Sequence, residues 1–528
     1  MKNLQQRIPQ QEIKEEVLKE NETAIYGPPG TGKTTKLLNI IEEAIADGVN
    51  PERIAFLSFT RKAAQEAIDR ASLKFNLDQK HFPHFRTLHS LAFRWVGMRS
   101  EDVMKPADMR FLAKKLGIVF RKEEKINIED GDMYTVGSSD GDKYFHIMNI
   151  ARLKQTDYMY EFDKFGDISL FRAYMPRIVQ AYKDYKKANL KVDFTDMLLQ
   201  FLEQGTGPDL DLLIVDEAQD LVPIQWRMVK KCLLPNSKKA YYAGDDDQCI
   251  FNWTGANVHN FLNCAKESIV LNQSYRVPYS IWSLARGIIN KVETRKKKEY
   301  KPKDEDGSVS YYFDVMDINF NEGEWYVLAR TNRILSIVSE KLQNEGYLFW
   351  REGSGWSVSE DIINSIEVWL QLCKDQSLKV KQWVEFSKKT KKGIIGHGGK
   401  RKIESLDSER TYTLEDLLKS EIGHLLNLKK EMMWYDVIQM TDQQRIYITS
   451  ARRRGEFILT KKPRIRISTI HKAKGGEADN VALMLDCPKI IKEKGDADSE
   501  HRVFYVGATR ARKSLHIVER RDVNGYQI

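Results

Sequence analysis

The stretch Gly27-Pro28-Pro29-Gly30-Thr31-Gly32-Lys33-Thr34-Thr35 constrains the fold more than any other part of the chain. It matches GxxxxGK[ST] in full. A short apolar run over residues 23–26 precedes it and a helical pattern over residues 36–46 follows, which is the strand–loop–helix context the motif requires. Glycines let backbone N–H groups turn inward around phosphate oxygens, and the helix N-terminus adds the positive end of its dipole. All nine residues are therefore expected to cradle a nucleotide. Lys33 is expected to reach the β- and γ-phosphates, and the Thr34 hydroxyl to ligate Mg²⁺.

Such a site needs a second part, an acid for the metal and a base for water. Leu212-Leu213-Ile214-Val215-Asp216-Glu217-Ala218-Gln219-Asp220 supplies both. A continuous apolar run reads as a buried parallel strand, and ligands bind at the carboxyl ends of such strands. Asp216 is expected to hold Mg²⁺ and Glu217 to polarise the attacking water. The two motifs predict an ATP hydrolase and leave open what the hydrolysis drives.

Composition removes other classes. The longest apolar runs fall short of the roughly 18–20 residues that span a bilayer. The polar N-terminal stretch lacks the apolar core of a secretory signal. The five cysteines are scattered with no CxxC pair, so a reducing cytoplasm is expected, that of a host if the chain is phage-encoded. A net charge of +9 is mild for 528 residues. It permits a polyanion partner without requiring one.

An ordered series of further segments carries more. Phe59-Thr60-Arg61-Lys62-Ala63-Ala64 and Thr87-Leu88-His89-Ser90 come first, then Val192-Asp193-Phe194-Thr195-Asp196. Gly244-Asp245-Asp246-Asp247-Gln248-Cys249-Ile250-Phe251-Asn252-Trp253-Thr254-Gly255-Ala256 and Gln273-Ser274-Tyr275-Arg276 follow. Near the end stand Thr469-Ile470-His471-Lys472-Ala473-Lys474-Gly475-Gly476-Glu477 and Tyr505-Val506-Gly507-Ala508-Thr509-Arg510-Ala511. In this order they resemble the motifs of the UvrD/Rep/PcrA family of superfamily 1 DNA helicases, from about residue 7 to about residue 518. The resemblance implies an α/β fold with two RecA-like parallel-sheet motor domains, each carrying a mainly helical inserted subdomain. It also implies ATP- and Mg²⁺-dependent 3′→5′ movement on single-stranded DNA and engagement of single/double-strand junctions, in repair, recombination or replication.

The resemblance assigns roles. Gln248 bridges the γ-phosphate and the DNA. Arg276 and Arg510 reach the γ-phosphate from the second motor domain, where planar guanidinium groups suit a phosphoryl in transfer. Tyr275 stacks on adenine, and Gln11, ahead of its neighbour Gln10, reads the adenine edge. Glu477 contacts the ribose. Phe59, Thr60, Thr87, His89, Trp253, Thr469 and His471 line the DNA channel, Trp253 by base stacking. Three positions depart from the family pattern. Thr254 stands where Arg is common, Gly476 where Leu is usual and Ala478 where an aromatic is usual; the last two are expected to loosen the Glu477 loop.

The motif order predicts residues 1–90 and 191–274 as motor domain 1A, with 91–190 inserted as 1B. Residues 275–358 and 460–528 are predicted as 2A, with 359–459 as a shortened 2B and no appended C-terminal domain. Within 1B, residues 129–144 read as a Gly/Asp/Ser-rich loop or hairpin. Within 2B, residues 388–402 read as helix, Gly-rich loop and helix with cationic flanks, resembling the family's duplex-gripping loop with one extra Ile. Lys391, Lys392, Gly393 and Gly396 are its expected phosphate contacts. The second basic run, Arg295-Lys296-Lys297-Lys298, reads as solvated surface. The leading function is an ATP-dependent DNA helicase or translocase. The alternative is a DNA-stimulated ATPase serving as subunit or switch of a repair or antiviral complex. A non-catalytic DNA-binding scaffold is disfavoured by the intact Lys33, Asp216, Glu217, Gln248, Arg276 and Arg510.

Overall fold

The computed structural model describes residues 20–121, 139–456, 463–488, 496–521 and 525–528. Gln11 lies outside them. The chain divides into two compact units: Met1–Asp306 with Gly495–Thr509, and Gly307–Lys494 with Arg510–Ile528.

The first unit is built on six strands: β1 (Glu22–Tyr26), β2 (Ile54–Ser58), β3 (His84–Thr87), β4 (Leu210–Val215), β5 (Ser237–Gly244) and β6 (Glu267–Val270). They pair in parallel in the order β3-β2-β4-β5-β1-β6. β2 is buried at every position and β4 at all but one, as expected of a sheet covered on both faces. The register aligns the carboxyl ends. Tyr26 sits opposite Gly244, Val215 opposite Tyr242 and Ser58 opposite Thr87. The phosphate loop, Asp216, Asp245, Phe59 and Leu88 thus leave the sheet along one edge. Two short strands, β7 (Gln273–Pro278) and β8 (Lys301–Lys303), pair beside this core.

Residues 91–121 and 139–190 contribute helices around a separate cluster that includes Tyr144, Phe145, Met175, Ile178 and Tyr182. Arg152 ties them back to the sheet's helix Phe194–Gln204, pairing with Asp193 at 2.6 Å and Asp196 at 2.5 Å. The tract expected to be a loop through residue 144 is helical from Asp140. Ser139 and Asp142 form a reciprocal capping box there. Residues 129–138 of that tract lie outside the described residues; over 139–142 the Ser/Asp/Gly composition marks a helix start.

In the second unit, β9 (Ser308–Tyr312), β10 (Trp325–Ala329), β11 (Trp350–Arg351) and β12 (Gly355–Trp356) come first in the chain. The helical insertion that follows contains the short pair β13 (Leu378–Lys379) and β14 (Thr411–Tyr412). β15 (Ile465–Thr469), β16 (Ala478–Met484) and β17 (Ala511–Val518) complete a seven-stranded sheet of order β12-β11-β15-β10-β16-β17-β9. Its pairs are parallel except β11–β12. The insertion packs around Trp369, Trp383, Phe386 and Ile403. Among the described residues no helix is long and apolar enough to cross a membrane.

Candidate nucleotide and nucleic-acid site

The phosphate loop bends because its glycines allow it. Gly30 and Gly32 both adopt φ +73°. A Cβ on Gly30 would collide with the Arg276 side chain, and one on Gly27 would lie 3.0 Å from Lys33 Cβ. Gly32 caps the helix Lys33–Ala46, so the lysine opens the helix and its N–H groups face the loop. Thr31 closes the turn, its hydroxyl donating to Pro28 O at 2.8 Å. Thr34 stands in the first helical turn and Thr35 is exposed.

Lys33 Nζ lies 2.5 Å from Glu217 Oε1 and 3.5 Å from Asp216 Oδ1. Burial alone would lower the ammonium; Glu217 and then Asp216 outweigh it and hold it above the ordinary lysine range. Burial, opposed by Lys33, pushes the Asp216 carboxyl up. Glu217 has left-handed backbone, φ 53° and ψ 37°, a conformation costing a non-glycine residue about 1–3 kcal/mol. Gln219 Nε2 donates to Glu217 Oε2 at 2.6 Å, while its Oε1 accepts from Asp245 N at 3.0 Å. A buried amide thus links the end of β4 to the end of β5.

Asp245 passes the link on, accepting from Gln248 Nε2 at 2.7 Å. Beyond it three rings follow one another. Phe59 stacks on Phe251 with centroids 5.9 Å apart, and Phe251 meets Trp253 edge-on at 6.3 Å. Trp253 is 41% exposed, so an unpaired base has an aromatic face to stack on. Thr60, Thr87 and Thr469 accept from the backbone N–H of Ala63, Ser90 and Lys472 at 3.2–3.3 Å. His89 is only 8% exposed and its Nε2 has no partner. Burial holds its pKa at about 4, so the ring is neutral at physiological pH.

Arg276 lies on β7, in the same compact unit as the phosphate loop. Tyr275 N donates to Gly30 O at 2.8 Å and Ser274 Oγ to Pro29 O at 2.7 Å. The Tyr275 ring is left 71% exposed.

In the second unit, Arg510 Nη1 donates to Gly476 O at 3.2 Å and Arg466 Nη2 to Glu477 O at 2.8 Å. Arg512 lies 3.4 Å from the Glu477 carboxylate. At Gly476 the space for a side chain is already filled. Tyr326, reaching from β10, occupies the space a side chain would need, its hydroxyl 2.5 Å from where a Cβ would stand. The Arg466 guanidinium lies over that ring, 3.9 Å from its centroid. Ala478 is buried at the start of β16. His471 is half-buried in the same loop.

The model of the UvrD/REP helicase N-terminal domain matches residues 9–268, and that of the UvrD-like helicase C-terminal domain matches residues 357–521. The chain belongs to the UvrD-like helicases of superfamily 1. Among curated members of this family, the ATP-dependent DNA helicase PcrA of Leuconostoc citreum is 28% identical over 54% of this chain and 40% of its own length. PcrA of Bacillus subtilis is 25% identical over 64% of this chain and 46% of its own. A DNA helicase II homologue of Mycoplasma genitalium aligns at 21% identity over 96% of this chain and 83% of its own. The chain thus spans under half the length of the two PcrA relatives in the matched regions.

Against the family pattern, Thr254 is fully buried, its hydroxyl donating to Phe251 O at 2.7 Å. Where the family commonly carries a cation, this chain closes its own turn. The extra isoleucine of the cationic loop is also accounted for. Ile394 and Ile395 both enter the core of the insertion, while Lys391, Lys392 and Gly393 are exposed and Gly396 is half-buried. Lys388 and Lys389 pair with Glu385 and Asp361.

Gln219, Phe251 and Lys298 are site residues that motif reading passed over. Gln219 and Phe251 sit inside quoted motifs but carry no charge to draw notice. Lys298 belongs to the run expected to be solvated surface; Lys297 is exposed, but the expectation fails for Lys298 and Arg295. The Lys298 side chain is 1% exposed and Arg295 is 11% exposed. Their partners are the three consecutive aspartates that follow β5.

Proposed function

We propose that the chain is an ATP-driven motor that moves 3′→5′ along single-stranded DNA and opens junctions ahead of it. The observation that carries this reading is the meeting of Lys33, Asp216, Glu217 and Gln248 at one sheet edge, with the Phe59–Phe251–Trp253 rings beside them. In the proposal the subdomains are 1A (1–90, 191–274), 1B (91–190), 2A (275–358, 460–528) and 2B (359–459).

The donor set fits Mg·ATP. Positive-φ glycines leave room for phosphate oxygens, a buried aspartate faces the loop and Thr34 stands in the first helical turn. Mg²⁺ supplies neutralisation of charge on the phosphates. Lys33 exchanges Glu217 for the β- and γ-phosphates, which frees Glu217 Oε1 to take a proton from water, while Gln219 keeps Oε2 in place. Arg276 and Arg510 are the guanidinium groups that the family likeness assigns to the departing phosphoryl. Tyr275 and Glu477 are assigned to the base and ribose, and Gln11 to the adenine edge. Thr60, Thr87, His89, Thr469 and His471 are assigned to the strand, with His89 contributing through its neutral ring.

The test is ATP hydrolysis with and without single-stranded DNA, and strand separation on duplexes carrying a 3′ or a 5′ tail. Lys33→Ala should abolish hydrolysis, and unwinding should need the 3′ tail. DNA-stimulated hydrolysis without strand separation would favour a switch or subunit; separation from a 5′ tail alone would overturn the polarity.

A further inference from the structure

The Asp245-Asp246-Asp247 triplet is nearly inaccessible to water, each residue at most 1% exposed. Three adjacent carboxylates in such a place repel one another unless cations are built in with them. Lys298 answers all three. Its Nζ lies 3.1 Å from Asp245 Oδ1 and 2.9 Å from Asp247 Oδ2, and it also pairs with Asp246. Arg295 grips Asp247 with both teeth of its fork, at 2.7 and 2.6 Å. Lys296 N donates to Asp246 Oδ2 at 2.8 Å, and Arg502 Nε to Asp246 O at 2.9 Å. Burial alone would lower the Lys298 ammonium; the aspartates outweigh it and keep it above the ordinary lysine range.

Asp245 divides its two oxygens. Oδ1 is shared by Lys298 Nζ and the backbone N–H of Asp247, the latter at 3.2 Å, and Oδ2 accepts from Gln248 Nε2. The lysine and that N–H together set the orientation of the carboxylate, and the carboxylate sets the orientation of the amide. We propose that Lys298, braced by Arg295, is a positioning residue for Gln248: by cross-linking Asp245, Asp246 and Asp247 it holds the amide in the aim from which nucleotide state is passed to the DNA channel. The inference rests on the functional reading above and adds the part that aims Gln248. A planar, bidentate arginine on Asp247 and a compact ammonium among all three carboxylates are not interchangeable, because one directs two bonds in a plane and the other fills a pocket.

The experiment is a double-mutant cycle on full-length chain. Its readout is the ratio of ATP turnover with single-stranded DNA to turnover without it. Lys298→Met should lower the ratio by at least about fivefold, the lower end of ordinary site-to-site coupling. In a Gln248→Ala background the same substitution should lower it no further, since the group it aims is gone. Lys298→Arg and Arg295→Gln are read in the same cycle, so that a Lys298→Met chain that fails to fold does not decide the matter. Both should show the same dependence on Gln248, with smaller losses. Losses that multiply independently of Gln248 would overturn the inference and leave these residues as core ion pairs. A wild-type chain whose turnover ignores single-stranded DNA would instead overturn the functional reading, and the inference with it.

Discussion

Glu217 combines a strained backbone with two fixed carboxylate contacts, to Lys33 and to Gln219. A charge held that firmly serves turnover more than affinity. Glu217→Gln should lower ATP turnover by at least about 100-fold, the low end for loss of a general base, with nucleotide affinity retained. Equal losses in both, by equilibrium binding and steady-state kinetics, would make Glu217 a structural residue. His89 is a second residue-scale case. Its ring titrates near 4 in the fold against an ordinary 6.5. Between those values the unfolded chain binds the extra proton, so stability is full above pH 6.5 and falls as pH drops toward 4. At pH 5 the loss is about 2 kcal/mol. His89→Gln should remove that part of the acid sensitivity, read as the difference in urea midpoints between pH 7.5 and pH 5. The same midpoint difference in both chains would show that the ring is solvated. At this scale, residues within one contiguous motif were legible, Lys33 and Asp216 among them. Lys298 was not, because its partner Asp246 lies 52 positions upstream. Four basic residues in a row look like surface until a sheet brings an acidic turn to them.

Among the elements, the loop between β15 and β16 shows how a departure from a family pattern is absorbed. Gly476 and Tyr326 divide one volume between them. Gly476→Leu alone should overpack the site, costing roughly 1–3 kcal/mol, and should displace the Glu477 carbonyl from Arg466. Adding Tyr326→Ala should recover most of the lost thermal stability. A double variant no more stable than Gly476→Leu would show that the tyrosine is not what fills the space. Strand positions were legible from apolar runs such as residues 212–215 and 325–329, because buried parallel strands do not alternate. The start of the helix at Asp140 was missed because its cap uses the same residue types as a turn. The space beside Gly476 was illegible, since it is filled by a tyrosine from another strand.

For the molecule as a whole, the cationic loop tests whether a duplex is held apart from the single strand. Only Lys391 and Lys392 among its first four lysines lack an acidic partner in the described structure. Replacing both with Ala should weaken binding to a tailed duplex more than to a plain single strand. The salt slope for the duplex should fall by about two units. Affinities for both DNAs measured across a salt series decide it; parallel losses would point to diffuse charge. The parallel sheets are those that the family resemblance implies. Which compact unit residues 275–306 join is not legible in motif order, because contacts between segments far apart in the chain decide it.

The strand order of the first sheet also bears on how the chain is made. β1 leaves the ribosome long before its sheet neighbours β5 and β6; Glu22 and the Tyr242 hydroxyl that donates to it are 220 positions apart. At about 5–20 residues per second, β1 waits roughly 10–40 s for a strand to lie against. Throughout that interval Ala24, Ile25 and Tyr26 have no sheet to enter. Nascent chains stopped before Ser237 should therefore be cut by protease within β1, and the phosphate loop should gain protection only once β5 has cleared the exit tunnel.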